Sequence, residues 1–313
     1  MNESLRIIYM GSPDFAVAPL YALIEAGYKP LYIISRPDKR KGRGAVLSAT
    51  ALKAAAQKIG LPVYTPQNVN EPQFIEDIYA IRPDLLITVA YGQILKRELL
   101  QIPRLGALNL HASLLPAYRG AAPIQRALMQ GANLSGVTTM YMDEGLDTGD
   151  IILSASCEID ATETGGTLHD KLMFMGADLL CCTVGLIDAG LAPRRAQDDS
   201  LASYAHSLTA KDEIVDWQMS ALKIHNQIRA LNPWPKAYCL WGDKRIKLGR
   251  SQFGPTRFPG KPGEVIAIDK QGMWIACQEG ELCLNEVQPQ GKSLMDACAF
   301  ARGYGIKEGS VFN

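Results

Sequence analysis

Short apolar runs alternate with segments of helical period along the first 190 residues of the chain. Runs such as residues 5–10 and 85–90 are apolar at nearly every position, which is typical of parallel strands buried on both faces. The segments between the runs repeat apolar residues at three- and four-residue spacing, as amphipathic helices do. This alternation predicts an α/β fold with a Rossmann-like, doubly wound and mostly parallel sheet.

The predicted elements of this region can be stated with their limits. Strands are predicted at residues 5–10, 31–35, 63–64, 85–90, 107–112, 136–142 and 151–157. Helices are predicted at residues 15–26, 49–59, 72–81, 123–130 and 164–189.

The pattern changes after residue 190. Residues 191–208 are polar and weakly periodic, so we predict a linker between a first domain at 1–190 and a second domain at 209–313. One long helix is predicted at 210–231, where apolar residues recur at helical spacing before the turn Asn232-Pro-Trp-Pro235. Short alternating segments separated by Gly or Pro follow, and they predict a small antiparallel β-barrel. Its strands are predicted at 237–241, 245–248, 263–267, 272–276 and 281–287.

The composition is that of an ordinary globular protein, with a hydrophobic fraction of 47% and a formal net charge of zero. Bulk charge therefore gives no reason to expect a nucleic-acid or membrane partner, which would have to be recognised by a local patch. The seven cysteines include no Cys-x-x-Cys pair, and their odd number favours free thiols in a reducing compartment. The four histidines show no metal-ligand spacing, so we predict no metal site.

The predicted strand at 107–112 carries two polar side chains among apolar neighbours. Asn109 and His111 are two positions apart and point to the same face, whereas Leu108 and Leu110 point to the other. A lone histidine on an apolar strand is usually a satisfied structural residue. The shared face argues for function here, because two polar groups are costly to bury unless they are paired or used.

Asp147 lies in a Gly-flanked acidic segment, residues 143–150, whose other acidic residues we interpret as turn residues. At a neighbouring strand end its carboxylate can hydrogen-bond His111 and favour the protonated imidazole. An amide, an imidazole and a carboxylate together fit acyl-type transfer, in which a donor stabilises an oxyanion and the imidazole handles charge or protons. Ser113 lies close but lacks the elbow motif of a serine nucleophile, which favours direct attack by a substrate amine.

Residues 36–44 form a basic segment directly after the second predicted strand. A solvated loop and a phosphate-binding arm explain its charge equally well. Two features favour a flexible arm that binds phosphates. The segment contains two glycines, and it lies at the carboxyl end of a strand, where open α/β sheets bind ligands. Its five basic residues are Arg36, Lys39, Arg40, Lys41 and Arg43. The loop Gly11-Ser-Pro-Asp-Phe15 is not a G-x-G-x-x-G fingerprint, so no NAD site is predicted.

With these residues the chain resembles the folate-dependent formyltransferases. The Asn-x-His strand, the segment Ser113-Leu-Leu-Pro-Ala-Tyr-Arg-Gly120 and the later Asp147 match the signature of that family, and as a set they are highly specific. Three further segments resemble the family members that act on methionyl initiator tRNA: Met10-Gly-Ser-Pro-Asp-Phe-Ala16, Lys41-Gly-Arg-Gly44 and Asn232-Pro-Trp-Pro235. Ser12 is a small variation, since the family commonly has Thr there.

The resemblance implies that 10-formyltetrahydrofolate is the co-substrate and formyl donor, and that initiator methionyl-tRNA is the acceptor. It implies catalytic roles for Asn109, His111 and Asp147. Folate contacts are implied for Ser113, Leu114, Leu115 and Pro116, and for Tyr91, Gln93 and Ile94. The basic segment, Arg43 above all, would hold the acceptor stem through Arg36, Lys39, Arg40, Lys41 and Arg43. The C-terminal barrel resembles an oligonucleotide-binding (OB) fold that would contact the tRNA backbone.

The catalytic strand does not by itself identify the acceptor. An amino sugar nucleotide or a glycinamide nucleotide would use the same donor and the same groups, and water as acceptor would give hydrolysis of the donor. A small acceptor needs neither the basic segment nor the C-terminal domain, which favours tRNA. A non-catalytic RNA-binding protein is a hypothesis of another class, and it leaves Asn109, His111 and Asp147 unexplained.

The chain starts almost directly with a predicted strand, and it has no apolar run long enough to span a bilayer. We therefore expect no membrane partner and a cytoplasmic location. One active site per chain needs no second subunit, so we expect a monomer.

Overall fold

A computed structural model describes residues 4–41 and 46–313 of the chain. The chain forms two compact units, each assembled from separate stretches. Unit 1 comprises the described residues up to Pro123, together with Leu134–Cys157 and His169–Ala205. Unit 2 comprises Ile124–Asn133, Glu158–Leu168 and His206–Asn313.

The elements up to residue 190 follow the predicted alternation of strands and helices. The strands are β1 (Ile7–Gly11), β2 (Tyr32–Ile34), β3 (Lys39–Lys41), β4 (Val46–Ser48), β5 (Val63–Tyr64), β6 (Leu85–Val89), β7 (Ala107–His111), β8 (Leu134–Tyr141) and β9 (Ile151–Glu158). The helices are α1 (Val17–Glu25), α2 (Ala51–Lys58), α3 (Pro72–Ile81), α4 (Arg97–Leu100), α5 (Pro123–Met129) and α6 (Gly165–Asp188).

A seven-stranded sheet with the order β5-β2-β1-β6-β7-β8-β9 organises unit 1. The pairs from β5 to β7 are parallel, and β8 pairs antiparallel with β7. The predicted Rossmann-like, mostly parallel sheet is therefore confirmed. The chain order reverses between β1 and β6, and open α/β sheets bind ligands at the carboxyl ends of their strands beside such a switch point.

Buried strands and one tight loop shape this end of the sheet. Every residue of β1 and of β6 is buried, as their almost entirely apolar sequences predict. A Cβ atom at Gly11 would lie 2.7 Å from the Cβ of Ala16 and 2.8 Å from the carbonyl oxygen of Val89. Glycine is therefore required where the chain leaves β1 and passes close to the end of β6.

The described part of the basic segment contributes strand β3 to a two-stranded antiparallel pairing with β4, which we call the basic hairpin; its flexibility stays a prediction. Strands β3 and β4 pair antiparallel, with Lys39 opposite Ser48. The Lys53 ammonium lies 2.8 Å from the Asp38 carboxylate and links the start of the hairpin to α2. The connection at 42–45, which includes Arg43, lies outside the described residues. The pattern of apolar and polar side chains along the sequence does not reveal this hairpin, because its pairing rests on backbone hydrogen bonds between two very short strands.

Unit 2 contains most of its elements after residue 206. The helices are α7 (Ala210–Glu213), α8 (Ala221–Ala230) and α9 (Ala297–Tyr304). The strands are β10 (Tyr238–Trp241), β11 (Lys244–Leu248), β12 (Ser251–Gly254), β13 (Val265–Ile268), β14 (Met273–Ala276), β15 (Glu281–Leu284), β16 (Glu286–Pro289) and β17 (Met295–Asp296).

The closed β-barrel is not confirmed. Over residues 206–313, all of them described, the strands form two four-stranded sheets, β10-β11-β16-β17 and β12-β15-β14-β13. Only two residues separate β11 from β12 and only Asn285 separates β15 from β16, so both segments pass from one sheet to the other. The predicted strand 281–287 is accordingly split at Asn285, whose side-chain amide donates to the Gln271 carbonyl at 2.7 Å. The likeness to an OB fold stays a prediction.

The single helix predicted at 210–231 is wrong, because the chain is extended between α7 and α8. Ile214 forms a parallel bridge with Tyr238 at the start of β10. The Asp216 carboxylate accepts the backbone N–H of Gln218 and makes a turn, and the Ser220 hydroxyl then caps α8. The helical spacing of these apolar residues therefore reflects their burial in the core of unit 2 and not a continuous helix.

Other sequence expectations concern cysteines, metals and membrane spans. All seven cysteines are free, as predicted. Among the described residues, no group of three or more His, Cys, Asp or Glu side chains is arranged to hold a metal ion. No helix within 4–41 or 46–313 is long and apolar enough to cross a membrane.

His225 on α8 gives unit 2 a testable pH dependence. Burial, with the nearby Arg229 charge, lowers the pKa of His225 from its ordinary 6.5 to about 4. The unfolded chain therefore binds a proton between pH 6.5 and 4 that the folded chain does not, so stability is lost as the pH falls through this window.

We expect His225→Gln to remove up to about 2 kcal/mol of that acid-induced loss, less than the full shift because the ring is partly exposed. Urea unfolding of both proteins at pH 7 and at pH 4.5 measures the difference. Identical losses of stability in wild type and variant would contradict this assignment.

Candidate active site

Three polar side chains meet at the carboxyl end of β7. Asn109 and His111 lie on β7, and Asp147 lies in the loop between β8 and β9. The Asp147 carboxylate has one oxygen 3.5 Å from Asn109 Nδ2 and the other 3.6 Å from His111 Nδ1. The side chains of His111 and Asp147 are only 7% and 15% exposed. The structure thus brings the three predicted residues together where little water screens their charges.

The loop from residue 143 to 150 places the Asp147 carboxylate. Asp143 accepts hydrogen bonds from the Gly145 N–H (3.0 Å) and the Thr148 hydroxyl (2.7 Å), so it has the structural turn role predicted for it. Asp147 itself has a φ of 56°, a left-handed conformation that is uncommon for residues other than glycine. The N–H of Gly120 donates to its Oδ2 at 2.8 Å and fixes the carboxylate.

The Tyr118 carbonyl orients the imidazole of His111. Its oxygen lies 3.0 Å from Nε2. A carbonyl only accepts hydrogen bonds, so the network assigns a hydrogen to Nε2. The nitrogen free to gain or lose a proton is therefore Nδ1, which faces Asp147.

Thr88 on β6 orients the Asn109 amide, and sequence reasoning missed it. Thr88 and Asn109 are paired in register, and the Thr88 hydroxyl lies 2.8 Å from Asn109 Oδ1. With Oδ1 accepting from this hydroxyl, the network assigns the Nδ2 donor to the Asp147 side. Thr88 is the polar exception in an otherwise apolar strand, and that exception is the signal that could have identified it.

The first group of predicted folate residues forms a well-fixed loop after β7. Ser113 is buried and its hydroxyl donates to the Ala117 carbonyl at 2.6 Å. Leu115 is also buried, and the peptide bond between Leu115 and Pro116 is cis. Leu114 and Pro116 are partly exposed. Two of these four side chains are buried and two are partly exposed, which suits a loop that lines a ligand site.

The second group follows β6 and divides into supporting and open residues. Tyr91 packs in the core of unit 1, and burial raises the pKa of its phenol to about 12. The Gln93 side chain accepts from the N–H of Val69 and donates to the carbonyl of Gln67, which anchors the loop. Ile94 is 78% exposed and is the open side chain of the three.

The basic residues occupy two different places. Arg36 is half-buried, and its guanidinium donates to the Gly92 carbonyl at 3.0 Å, close to the Tyr91 loop. Lys39 and Arg40 are exposed on β3. Lys41 ends the described part of that strand, and Arg43 lies outside the described residues.

Residues 195–205, a part of the predicted linker, lie against the active-site loops, and we call this segment the strap. Arg195 and Ile151 exchange two backbone hydrogen bonds of 2.8 and 3.0 Å. At the other end the Ala205 N–H donates to the Arg119 carbonyl at 2.7 Å. A Cβ atom at Gly120 would lie 2.9 Å from the Ala205 carbonyl oxygen, so glycine is needed beneath the strap.

The arrangement can stabilise negative charge on a substrate oxygen. Asn109 Nδ2 is a hydrogen-bond donor, and His111 Nδ1 becomes one when it carries a hydrogen, with the Asp147 side chain beside both. The Ser113 hydroxyl donates to a backbone carbonyl instead of pairing with His111 as a nucleophile would. The geometry therefore suits attack by an external nucleophile on a carbonyl carbon, with the new oxyanion held by preorganised donors.

Comparisons with known proteins point the same way. The formyl transferase family model matches residues 5–184, and the model of the formyl transferase C-terminal domain matches residues 207–305. Methionyl-tRNA formyltransferase of Symbiobacterium thermophilum is 46% identical over 311 residues, which is 99% of this chain and 95% of that protein. The enzyme of the same name from Moorella thermoacetica is 43% identical over 307 residues, or 98% of this chain and 99% of that protein.

A solved structure shares the fold. It is the N-formyltransferase of Helicobacter canadensis in complex with folinic acid and dTDP-3-aminofucose. The TM-score is 0.68 at 19% identity, and the match covers 91% of this chain and 99% of that one. At this identity the likeness shows the fold alone.

Proposed function

This chain belongs to the formyl transferase family, and from that premise we propose that it transfers the formyl group of 10-formyltetrahydrofolate to the α-amino group of methionyl initiator tRNA. The products are N-formylmethionyl-tRNA and tetrahydrofolate. The observation that carries the proposal is the convergence of Asn109, His111 and Asp147 at the carboxyl end of β7. Identity of 46% to a methionyl-tRNA formyltransferase along nearly the whole chain supports this acceptor over a small one.

The first chemical step forms a bond between the amine nitrogen and the formyl carbon. The attacking amine must be neutral, and α-amino groups with a pKa near 7.7–8.0 are partly neutral at physiological pH. The electron pair of the carbonyl bond moves to oxygen and makes an oxyanion. Asn109 Nδ2 and protonated His111 Nδ1 donate hydrogen bonds to that oxygen, and Asp147 keeps the imidazolium in place.

The second step breaks the bond between the formyl carbon and N10 of the folate. The oxyanion re-forms the carbonyl, and the bonding electrons leave with N10. The amine nitrogen loses one proton and N10 gains one, so the reaction is balanced without an added reactant. Protonated His111 Nδ1 gives its proton to N10 and, once neutral, takes up the proton that the amine nitrogen loses, while Nε2 stays engaged by the Tyr118 carbonyl.

The formyl-transfer assay tests this function directly. Purified protein is incubated with 10-formyltetrahydrofolate and charged methionyl initiator tRNA, with an amino sugar nucleotide and glycinamide ribonucleotide in parallel reactions. We expect transfer to the tRNA alone. Transfer only to a small acceptor would overturn the proposed acceptor, and tRNA binding without transfer or folate affinity would favour a non-catalytic RNA-binding protein.

We assign formyl transfer to residues 1–190 and tRNA backbone contact to residues 209–313, with the basic hairpin holding the acceptor stem. The hairpin presents Lys39 and Arg40 at the surface, and backbone recognition by such cations is strongly salt-dependent. In unit 2, Trp234 is 76% exposed and is available to stack on a base.

Replacing Lys39 and Arg40 together by Ala should raise the KM for tRNA about tenfold or more and leave the KM for folate unchanged. The plot of the logarithm of the tRNA association constant against log salt concentration has a negative slope, and its magnitude should decrease by about 0.9 for each phosphate that the variant no longer neutralises. Lys29→Ala with Lys58→Ala is the matched control, because these exposed lysines precede the amino ends of β2 and β5, whereas the hairpin follows the carboxyl end of β2. Equal tRNA affinity for both double variants would contradict a phosphate-binding hairpin.

Three sequence predictions keep that status. They are the monomeric state, the cytoplasmic location and catalysis without a metal ion. Sedimentation of the purified protein tests the first, and activity after dialysis against a chelator tests the last.

A further inference from the structure

Arg119 belongs to the 113–120 segment but directs its side chain away from the reacting groups. It is only 2% exposed, one of the largest fully buried side chains of the described residues. Its Nε and Nη2 donate to Gln197 Oε1 at 3.1 and 2.9 Å, and Nη2 donates to Asp199 at 2.7 Å. A buried guanidinium is costly unless it is paired, so these contacts bind the 113–120 segment to the strap.

Gln197 continues this contact to the loop that carries Asp147. Since its Oε1 accepts from Arg119, the other end of the amide is the donor. Nε2 donates to the carbonyls of Asp147 and Gly149, both at 2.8 Å. One amide therefore holds the backbone on both sides of Thr148.

We infer that Gln197 is a positioning residue for Asp147, and that the buried Arg119 orients Gln197 for this task. The inference rests on the proposed function, because it gives the strap a role in formyl transfer. Asp147 has a left-handed backbone, which few non-glycine residues adopt and which the surrounding hydrogen bonds hold in place. The Gly120 N–H holds the carboxylate, and Gln197 holds the backbone behind it.

The strap is itself fixed on both sides of Gln197. Arg195 is paired with Ile151 at the start of β9. Towards the other end, the Ser203 hydroxyl accepts the N–H of Tyr118 at 2.9 Å, and Tyr118 is the residue whose carbonyl orients His111. The strap thus supports Asp147 through Gln197 and His111 through Tyr118.

Gln197→Glu is the sharpest test, because it keeps the shape and the acceptor for Arg119 but replaces the N–H donors by an oxygen. We expect kcat to fall about 10- to 100-fold, the range for small displacements of reacting groups. The KM values for folate and tRNA should change less than about twofold, since ground-state binding is kept. Gln197→Met also removes the N–H donors but adds no charge, and we expect the same fall in kcat. It serves as the test if the buried carboxylate of Gln197→Glu prevents folding.

Gln57→Glu is the matched control, with the same charge change at an exposed position near the end of α2, and its kcat should stay within about twofold of wild type. The double variant Gln197→Glu with Asp147→Asn should be no slower than Asp147→Asn alone, because Gln197 acts through Asp147. The pH profile of kcat for Gln197→Glu should be displaced in the same direction as that for Asp147→Asn.

A general structural role for Gln197 would instead give effects that multiply in the double variant and a pH profile like that of wild type. Either of those results, or wild-type kcat in both Gln197 variants, overturns the inference. Hydrogen exchange of the Gly120 amide, which donates to Asp147, gives a readout without activity, and we expect faster exchange in Gln197→Glu. If the wild type transfers no formyl group but this exchange still accelerates, the proposed function fails and the positioning role stands.

Discussion

His111→Ala should lower kcat about 1,000-fold or more while leaving the affinity for 10-formyltetrahydrofolate within about twofold. The variant loses the Nδ1 donor to the oxyanion and also the group that carries the proton to N10. Positioned acid–base groups contribute about 10²- to 10⁴-fold, and removing an oxyanion donor costs a similar factor. Single-turnover rates at saturating folate and tRNA isolate this loss from product release.

Folding must be measured beside the rate, because the imidazole also has a structural contact. Removing the ring leaves the Tyr118 carbonyl without its donor, which costs about 1–3 kcal/mol where the group stays buried. His206→Ala is the control, since this histidine is exposed and lies in unit 2. Near-normal turnover in His111→Ala, or a loss of folate affinity as large as the loss of kcat, would contradict a catalytic role.

The sheet of unit 1 could be predicted because its strands are buried on both faces. β1 is apolar throughout and β6 is apolar except for Thr88, and such runs between amphipathic helices are typical of buried parallel strands. Unit 2 was harder. Alternation located most of its strands, but it does not say which strands pair, and closure of a barrel depends on pairing between segments far apart in the chain.

The helix predicted at 210–231 failed for a related reason. Its apolar residues, among them Trp217 and Ile224, do lie in one core, as the helical spacing indicated. A turn at Asp216 brings the extended segment and α8 to the same core, and the resulting spacing resembles that of one helix. Burial was predicted correctly, and the local hydrogen bonds that interrupt the helix were not.

At the active site, the sequence predicts groups that share a strand and misses groups that reach it from elsewhere. Asn109 and His111 follow from the two-residue period of β7. Thr88 lies 21 residues from Asn109 and Gln197 lies 50 residues from Asp147, and both reach the site only through tertiary structure. Positioning contacts of this kind leave no local pattern, which is why a polar segment that looks like a linker contains one.

Asn109→Ala should lower kcat about 100-fold or more and leave folate binding nearly intact. The amide is one of two donors to the oxyanion, and losing one such donor typically costs about 2.7–4 kcal/mol of barrier. The effect should be smaller than that of His111→Ala, because Asn109 carries no proton. Asn133→Ala, at an exposed asparagine, is the control and should keep wild-type turnover.

The division of the loss between kcat and folate affinity decides what Asn109 contacts. A group that binds the folate in the ground state would weaken folate binding and slow turnover together. A donor aimed at the oxyanion meets its full partner only in the transition state, so kcat falls while folate affinity stays. Equal losses in both would make Asn109 a binding or structural residue, and His111 would then be left as the sole donor to the oxyanion.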